Sequence, residues 1–300
     1  MLEGKKAVLK NKSIAPSELI LNPDGSIYHL NLKPNEVSSI IITVGDPDRV
    51  DEVSNYFDSI EIKKQKREFK THTGTLKGKR ITVISTGIGT DNIDIVLNEL
   101  DALVNIDFET RKIKTELTRL DIIRIGTSGV IQEGIEVDSL LMSETAIGFD
   151  GLLQSYGNTE FLDTAFSEAF KKQTNWNTAK SSPYVARANS ELIDLFSSEE
   201  MQKGVTATNI GFYGPQGRVL RLELEDPELN GKITAFEFNG QKITNFEMET
   251  SGIYGLARLL GHRAISLNAI LANRSNGSFS QRPLETMKSL IELTLSTLVK

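Results

Sequence analysis

The sequence predicts an α/β fold, a single domain built on a central mixed β-sheet flanked by helices. Three observations lead there. Short β-branched runs alternate with longer stretches of helical spacing. The segment from Ile60 to Ile84 strings two or three strand-like pieces together with no helix between them, so antiparallel pairs join the sheet. Finally, 300 residues with 39% hydrophobic and 25% charged content can bury a sizeable core.

A polar N-terminal extension, residues 1–33, leads into the domain, which runs over 34–300. Strands are expected over Ser39–Val44, Arg80–Thr86, Asp121–Ile125, Val137–Met142, Gly204–Ile210 and Arg263–Ala272, most of them short runs rich in Val, Ile or Thr. Helices are expected over Asn92–Val104, Thr159–Gln173, Ser190–Phe196, Glu247–Leu260 and Leu284–Val299, where apolar residues recur every three or four positions. Gly74 and Gly78 mark turns, and the charged stretch Glu109–Thr118 reads as a solvent-facing excursion. No internal repeat or low-complexity tract interrupts this order.

Composition removes several classes of function. Thirty-four Lys and Arg against 40 Asp and Glu leave a formal net charge of −6 at pH 7, so the chain as a whole repels nucleic acid and anionic membrane. An anionic partner therefore needs a local cationic site. With no cysteine, disulfide scaffolds, thiolate metal sites and thiol nucleophiles are excluded together. The N-terminus lacks an apolar leader core and no later stretch reaches membrane-span length without an Arg or His, so a cytoplasmic protein is expected. The three histidines, His29, His72 and His262, lie far apart and lack the spacing of a helical zinc motif, so no histidine-based metal site is expected.

Four segments carry chemistry. In IIITVGDPDRV a buried strand ends at Gly45, Asp46 caps the next helix, Pro47 suits its first turn, and Arg49 projects from that turn. Backbone N–H groups and a guanidinium then converge where the helix dipole is positive, an anion site, although an ordinary strand-to-helix turn with a solvated arginine has the same sequence. In DIIRIGTSGVI, Arg124 interrupts an apolar strand before Gly126, Thr127, Ser128 and Gly129. Burying a guanidinium demands a partner, either a bound phosphate or a distant acid. In GFYGPQGR, an extended chain turns the Gln216 amide and the Arg218 guanidinium to one side, with Phe212 offering a ring face. That pair complements the acceptor, donor, acceptor edge of uracil, while a plain Gly/Pro surface loop is the alternative. In NFEMETSGIYGLA, Asn245 is a candidate cap for a helix opened by Glu247, Met248 and Glu249. Glu249 suits vicinal ribose hydroxyls and Met248 the underside of a sugar, or both acids simply favour the dipole. TGIGTDN has Asn92 where a dinucleotide fingerprint needs glycine, and no GxxxxGK[ST] loop exists, so neither NAD nor ATP binding is supported.

Together the segments GDPDR, KREF, STGIG, RIGTSG, FYxxQxR, FEMET and ANR resemble, in order and spacing, the nucleoside phosphorylase superfamily and within it the uridine phosphorylases of bacterial hexameric type. The resemblance runs from about His29 to the C-terminus. It implies the nucleoside phosphorylase fold, with a sheet that is partly barrel-like. It also implies reversible phosphorolysis of uridine, and of 2′-deoxyuridine if accepted, to uracil and the pentose 1-phosphate. Carried over residue by residue, it implies phosphate ligands at Gly45, Arg49, Arg124 and Thr127, with Arg67 lent by a neighbouring subunit. His29, lent across the same interface, Met248 and Glu249 would hold the ribose. Gln216 and Arg218 would read the uracil, with Ser128, Gly129, Phe212, Glu247, Leu271 and Ala272 lining the base pocket.

In that reading Arg124, Gln216 and Arg218 carry the catalysis, no organic cofactor is needed, and phosphate is the co-substrate. A structural potassium ion between subunits is implied at Glu68, Ile88 and Asn92, and the assembly is a homo-oligomer built from dimers, a hexamer in this branch. Purine-type members resemble one another in a Ser-Asp pair after the strand ending near Ala272, whereas this sequence has Asn273 and Arg274. A purine nucleoside phosphorylase, a phosphate-independent nucleosidase and a non-enzymatic nucleoside or phosphate sensor are the competing functions.

Overall fold

Strand order is the first thing added by the computed structural model, which describes residues 12–300. The described residues divide into two compact units, residues 12–87 with 95–122 and residues 88–94 with 123–300.

In the first unit β1 (Ile40–Val44), β2 (Ser59–Lys66), β3 (Phe69–Leu76) and β4 (Lys79–Ser85) are ordered β1-β4-β3-β2, with β1 parallel to β4 and the other pairs antiparallel. β1 is the run IIITV, whose last four residues are buried. It feeds α1 (Pro47–Ser54), whose N-terminus is built as the sequence predicts, with the Asp46 side chain accepting from the Asp48 N–H at 2.9 Å and Pro47 opening the helix. α2 (Thr90–Asn105) and a short hairpin, β5 (Ile106–Asp107) with β6 (Lys112–Ile113), complete the element list as far as residue 122. Most of the excursion over 109–118 is exposed. Of the extension expected over 1–33, residues 1–11 lie outside the described residues; further along it Leu19, Ile27, Leu30 and Leu32 are buried.

In the second unit β7 (Asp121–Val130), β8 (Leu140–Gly148), β10 (Met201–Thr208), β12 (Gln241–Glu247) and β13 (Arg263–Asn273) follow the order β12-β10-β8-β13-β7, and β12 also pairs antiparallel with β7. That last pairing, Asn245 opposite Val130 and Phe246 opposite Gly129, closes the strands on themselves. The sheet is therefore barrel-like here, as the resemblance implies. β10 runs parallel to both β8 and β12, while β8 and β13 are antiparallel. Short strands β9 (Tyr184–Arg187), β11 (Glu237–Phe238) and β14 (Ser278–Phe279) pair with β8, β12 and β13. The helices are α3 (Thr164–Thr174), α4 (Ser190–Phe196), α5 (Leu229–Ala235), α6 (Thr250–Leu260) and α7 (Pro283–Leu298). Phe149, Phe166, Phe170, Trp176, Phe236 and Phe246 anchor one hydrophobic core of this unit. No helix among the described residues is long and apolar enough to cross a membrane.

Three local expectations are corrected. β7 does not stop at Ile125 but continues through Val130, because Gly129 and Val130 pair with β12. Asn245 caps no helix, since β12 runs to Glu247 and α6 starts at Thr250. Gly74 is not a turn residue: it lies inside β3, where a side chain would meet the Ser59 carbonyl oxygen at 2.1 Å, beside the irregularity between Ile60 and Ile62 of β2. Gly78 does form the β3–β4 turn, with φ +79°.

Candidate active site

In the first unit Gly45 leaves β1 and Arg49 stands half-buried in the first turn of α1. A side chain at Gly45 would meet only the Gly87 carbonyl at 3.6 Å, an ordinary contact. Space alone therefore does not demand glycine there, which leaves close approach of a ligand to the backbone as a reason for it. His29 is held by an acid that sequence reasoning missed. Glu99 lies 2.6 Å from His29 Nδ1, accepts from the His29 N–H at 3.1 Å, and accepts from the Leu30 N–H at 2.9 Å. A carboxylate on Nδ1 makes that nitrogen the donor and leaves Nε2 as the acceptor of the ring. Arg67 occupies the exposed tip of the β2–β3 hairpin with φ +55°, a left-handed conformation uncommon outside glycine. Next to it, Lys66 donates to the Tyr28 carbonyl at 2.5 Å and to Asn22 Oδ1 at 3.0 Å. The two side chains expected to be lent to a neighbour, His29 and Arg67, thus sit on segments that are tied together.

In the second unit Arg124 is central. Its side chain is 9% exposed, and the fork of its guanidinium is engaged on two sides. Nη2 donates to Glu249 Oε2 at 2.7 Å and lies 3.2 Å from Glu247 Oε2; Nη1 donates to Asn268 Oδ1 at 2.9 Å and to Ser266 Oγ at 3.3 Å. The acid partner left open by the sequence is therefore present, and there are two of them. Burial works against the Arg124 charge, but the carboxylates of Glu247 and Glu249 more than offset it and hold its pKa above the usual value. Burial also raises the Glu249 carboxyl above the usual range, with Glu247 adding to the shift and Arg124 opposing it. Gly126 makes the arrangement sterically possible, because a Cβ there would stand 2.1 Å from Arg124 Nη1.

The acids divide their duties. Glu247 Oε2 accepts from the Glu249 N–H, the Thr250 N–H and Thr250 Oγ1, each at 2.9 Å, and Oε1 accepts from Thr208 Oγ1 at 2.6 Å. It is the carboxylate at the N-terminus of α6, so any part it takes in lining a base falls to its other atoms. Glu249 accepts from the Gly89 N–H at 2.8 Å on the oxygen that Arg124 does not use. Met248, between the two acids, is half-buried. Along β7 Gly126 lies on the Arg124 face, and Thr127 beside it is half-buried. The Ser128 hydroxyl donates to the Phe246 carbonyl at 2.8 Å and accepts from Asn245 Nδ2 at 2.7 Å, while the Cβ position of Gly129 is 3.7 Å from Ala272 Cβ. Leu271 and Ala272, at the end of β13, are half-buried.

The segment with Gln216 and Arg218 is not extended, as the sequence suggested. Gly214–Gln216 form a turn of 3₁₀ helix closed by Gly217 at φ +70°. The two side chains still meet. Arg218 Nη1 donates to Gln216 Oε1 at 2.5 Å and to the Phe212 carbonyl at 2.6 Å, and its guanidinium carbon lies 3.7 Å from the centroid of the half-exposed Phe212 ring. Gln216 is buried, and its backbone carbonyl accepts from Asn230 Nδ2 at 2.9 Å and from Arg274. Burial pulls Arg218 and Arg274 below the usual arginine value, and for Arg274 the Arg218 charge adds to it. Neither guanidinium pairs with a carboxylate among the described residues. Asn273 is used up in its own turn, donating to the Ile135 carbonyl at 2.8 Å and accepting from the Ser275 N–H at 2.9 Å. Glu68 is half-buried beside the hairpin tip, Ile88 is exposed and Asn92 is half-buried in the first turn of α2. Among the described residues no group of three His, Cys, Asp or Glu side chains is arranged to hold a metal.

The model of the phosphorylase superfamily matches residues 39–295. Uridine phosphorylase from Thermococcus kodakarensis is 31% identical over 268 residues, which cover 86% of this chain and 81% of that protein. Uridine phosphorylase from Escherichia coli is 28% identical over 273 residues, covering 87% and 91%. The crystal structure of a Trypanosoma brucei nucleoside phosphorylase that shows uridine phosphorylase activity is similar with a TM-score of 0.84 and 32% identity, covering 94% of this chain and 99% of that one.

Proposed function

The chain belongs to the phosphorylase superfamily, and we propose that it is a pentosyltransferase catalysing the reversible phosphorolysis of uridine to uracil and ribose 1-phosphate. The observation that carries the base assignment is the buried Gln216 amide bonded to an arginine that has no acid partner among the described residues. With one Gln216 oxygen lone pair on Arg218, the amide keeps a second lone pair for N3–H and its NH₂ for a carbonyl, and Arg218 contributes donors only. Two guanidiniums without a carboxylate partner among the described residues suit a leaving base on which negative charge grows, and Asn273 offers no acid to protonate a purine.

Phosphate attacks C1′ as the glycosidic bond stretches, and the developing positive charge on the sugar is flanked by the incoming anion. Arg124 and Thr127 are assigned to that anion, and the resemblance adds Gly45, Arg49 and, from a second copy of the chain, Arg67. Glu249, ordered by Arg124 and the Gly89 N–H, accepts from the ribose hydroxyls above Met248, and His29, its Nδ1 on Glu99, offers Nε2 to the 5′-hydroxyl from the neighbouring copy. Positioning and charge carry the rate, with no covalent intermediate and no organic cofactor. The inter-subunit potassium ion fits the donor chemistry of the Glu68 carboxylate, the Ile88 carbonyl and the Asn92 amide, all hard oxygens, and no step runs through it. The working form is a homo-oligomer of dimers, a hexamer, in the cytoplasm.

The test is base release from uridine, cytidine and inosine, each with and without phosphate. Uracil release that requires phosphate is the expected result. Release without phosphate would make the protein a nucleosidase, and inosine turnover above that of uridine would overturn the base assignment.

A further inference from the structure

Asn268 breaks a local rule. It is fully buried in the middle of β13, between Leu267 and Ala269, where packing alone favours an aliphatic residue. A buried amide must satisfy its donors and acceptor, and this one does so in one orientation. Its Oδ1 accepts from Arg124 Nη1 at 2.9 Å, and its Nδ2 donates to Ser143 Oγ at 3.1 Å and the Leu141 carbonyl at 3.3 Å, both on β8. With the carboxylates on Nη2 and the amide on Nη1, the guanidinium plane is held at both ends of its fork. Without Asn268 the Nη1 end would keep only its longer, 3.3 Å contact with Ser266 Oγ.

We propose that Asn268 is a positioning residue for phosphate, one that sets the plane of the Arg124 guanidinium without touching substrate. The inference rests on the phosphorolysis reading above. From Ser143 the same buried network continues through Thr206 Oγ1 at 2.5 Å and Asn245 Oδ1 at 3.0 Å to Ser128 Oγ at 2.7 Å, so it also contains an internal control. Thr206 shares the network but makes no contact with Arg124.

Steady-state kinetics of Asn268→Ala, Asn268→Ser and Thr206→Val, with thermal unfolding of each, test the proposal. Loss of one hydrogen bond to a charged group should raise the KM for phosphate about tenfold in Asn268→Ala, and less in Asn268→Ser. The KM for uridine should stay within about twofold, and Thr206→Val should leave the phosphate KM where it is. An unchanged phosphate KM in a folded Asn268 variant overturns the proposal. So does an equal rise in Thr206→Val, or failure of both Asn268 variants to fold, since either makes the residue a packing element. A wild-type enzyme that releases uracil without phosphate overturns the function itself, which the same assay distinguishes.

Discussion

Arg124 and Arg218 stand in two different kinds of surroundings. Arg124 is buried in a strand of a closed sheet, with two carboxylates, an amide and a hydroxyl on its fork. Arg218 is half-buried on a turn, held by an amide oxygen, a backbone carbonyl and a ring face, with no carboxylate among the described residues. The first group has its charge neutralised in advance and its geometry set by elements far apart in sequence. The second keeps its charge uncompensated and takes its geometry from six neighbouring residues. In the proposed site the anion end is thereby held rigid and the base end is left to a local segment.

Deleting each arginine is the strongest test of that contrast. Arg124→Ala leaves Glu247 and Glu249 buried without their cation, which should destabilise the protein by about 3–5 kcal/mol. It should also remove at least about 2 kcal/mol of transition-state stabilisation. Arg218→Ala leaves no buried charge unpaired, so unfolding should shift by no more than about 1 kcal/mol while the KM for uridine rises. Urea unfolding of both variants decides it, and equal destabilisation would break the contrast.

Two glycines sharpen it further. Gly126→Ala puts a Cβ 2.1 Å from Arg124 Nη1 and 2.4 Å from Cζ, and a guanidinium pinned at both ends has nowhere to move without losing partners. A cost of roughly 1–3 kcal/mol in stability is expected, together with a raised phosphate KM. Gly217→Ala places alanine at φ +70°, with its Cβ 2.1 Å from Asn230 Nδ2, a side chain that can swing away at the loss of its 2.9 Å bond to Gln216. The expected cost is about 1 kcal/mol, and the defect should appear in the KM for uridine. A phosphate defect in the Gly217 variant would mean that the two ends are mechanically joined.

What was legible in the sequence follows the same division. The strand-to-helix turn at Gly45–Arg49 is local chemistry and folds as read, and Gln216 meets Arg218 because two positions in one short loop cannot get far apart, even though the loop turns instead of extending. β7 runs past the Ile125 end that its apolar run predicts, because β12, more than a hundred residues on, supplies ladder partners for Gly129 and Val130. Asn245, Glu247 and Glu249 looked like a helix start because acids favour that position, and Glu247 does serve the α6 N-terminus, but from the end of a strand. Glu99 behind His29 and Asn268 behind Arg124, 70 and 144 positions away, have no local signature at all. A polar residue in an otherwise apolar strand is the one hint that Asn268 had, and it says that a partner exists without saying which.

His72 gives a baseline for a buried polar group outside the proposed site. It is 3% exposed in β3, with Nδ1 2.7 Å from Ser54 Oγ. Burial holds its pKa below the usual histidine value, with Lys63 and Lys70 acting in the same direction and Asp51 opposing them. The ordinary histidine pKa is about 6.5, so above that pH the ring is neutral folded or unfolded and stability is at its full value. As pH falls below it, the unfolded chain takes up a proton that the folded chain refuses, and stability declines until the folded pKa is passed. His72→Gln should therefore flatten the acid limb of the stability curve, by at most about 1.4 kcal/mol per pH unit within that window. Turnover at neutral pH should be untouched. If the slope between pH 5 and 7 is the same with and without His72, the acid sensitivity belongs to other groups.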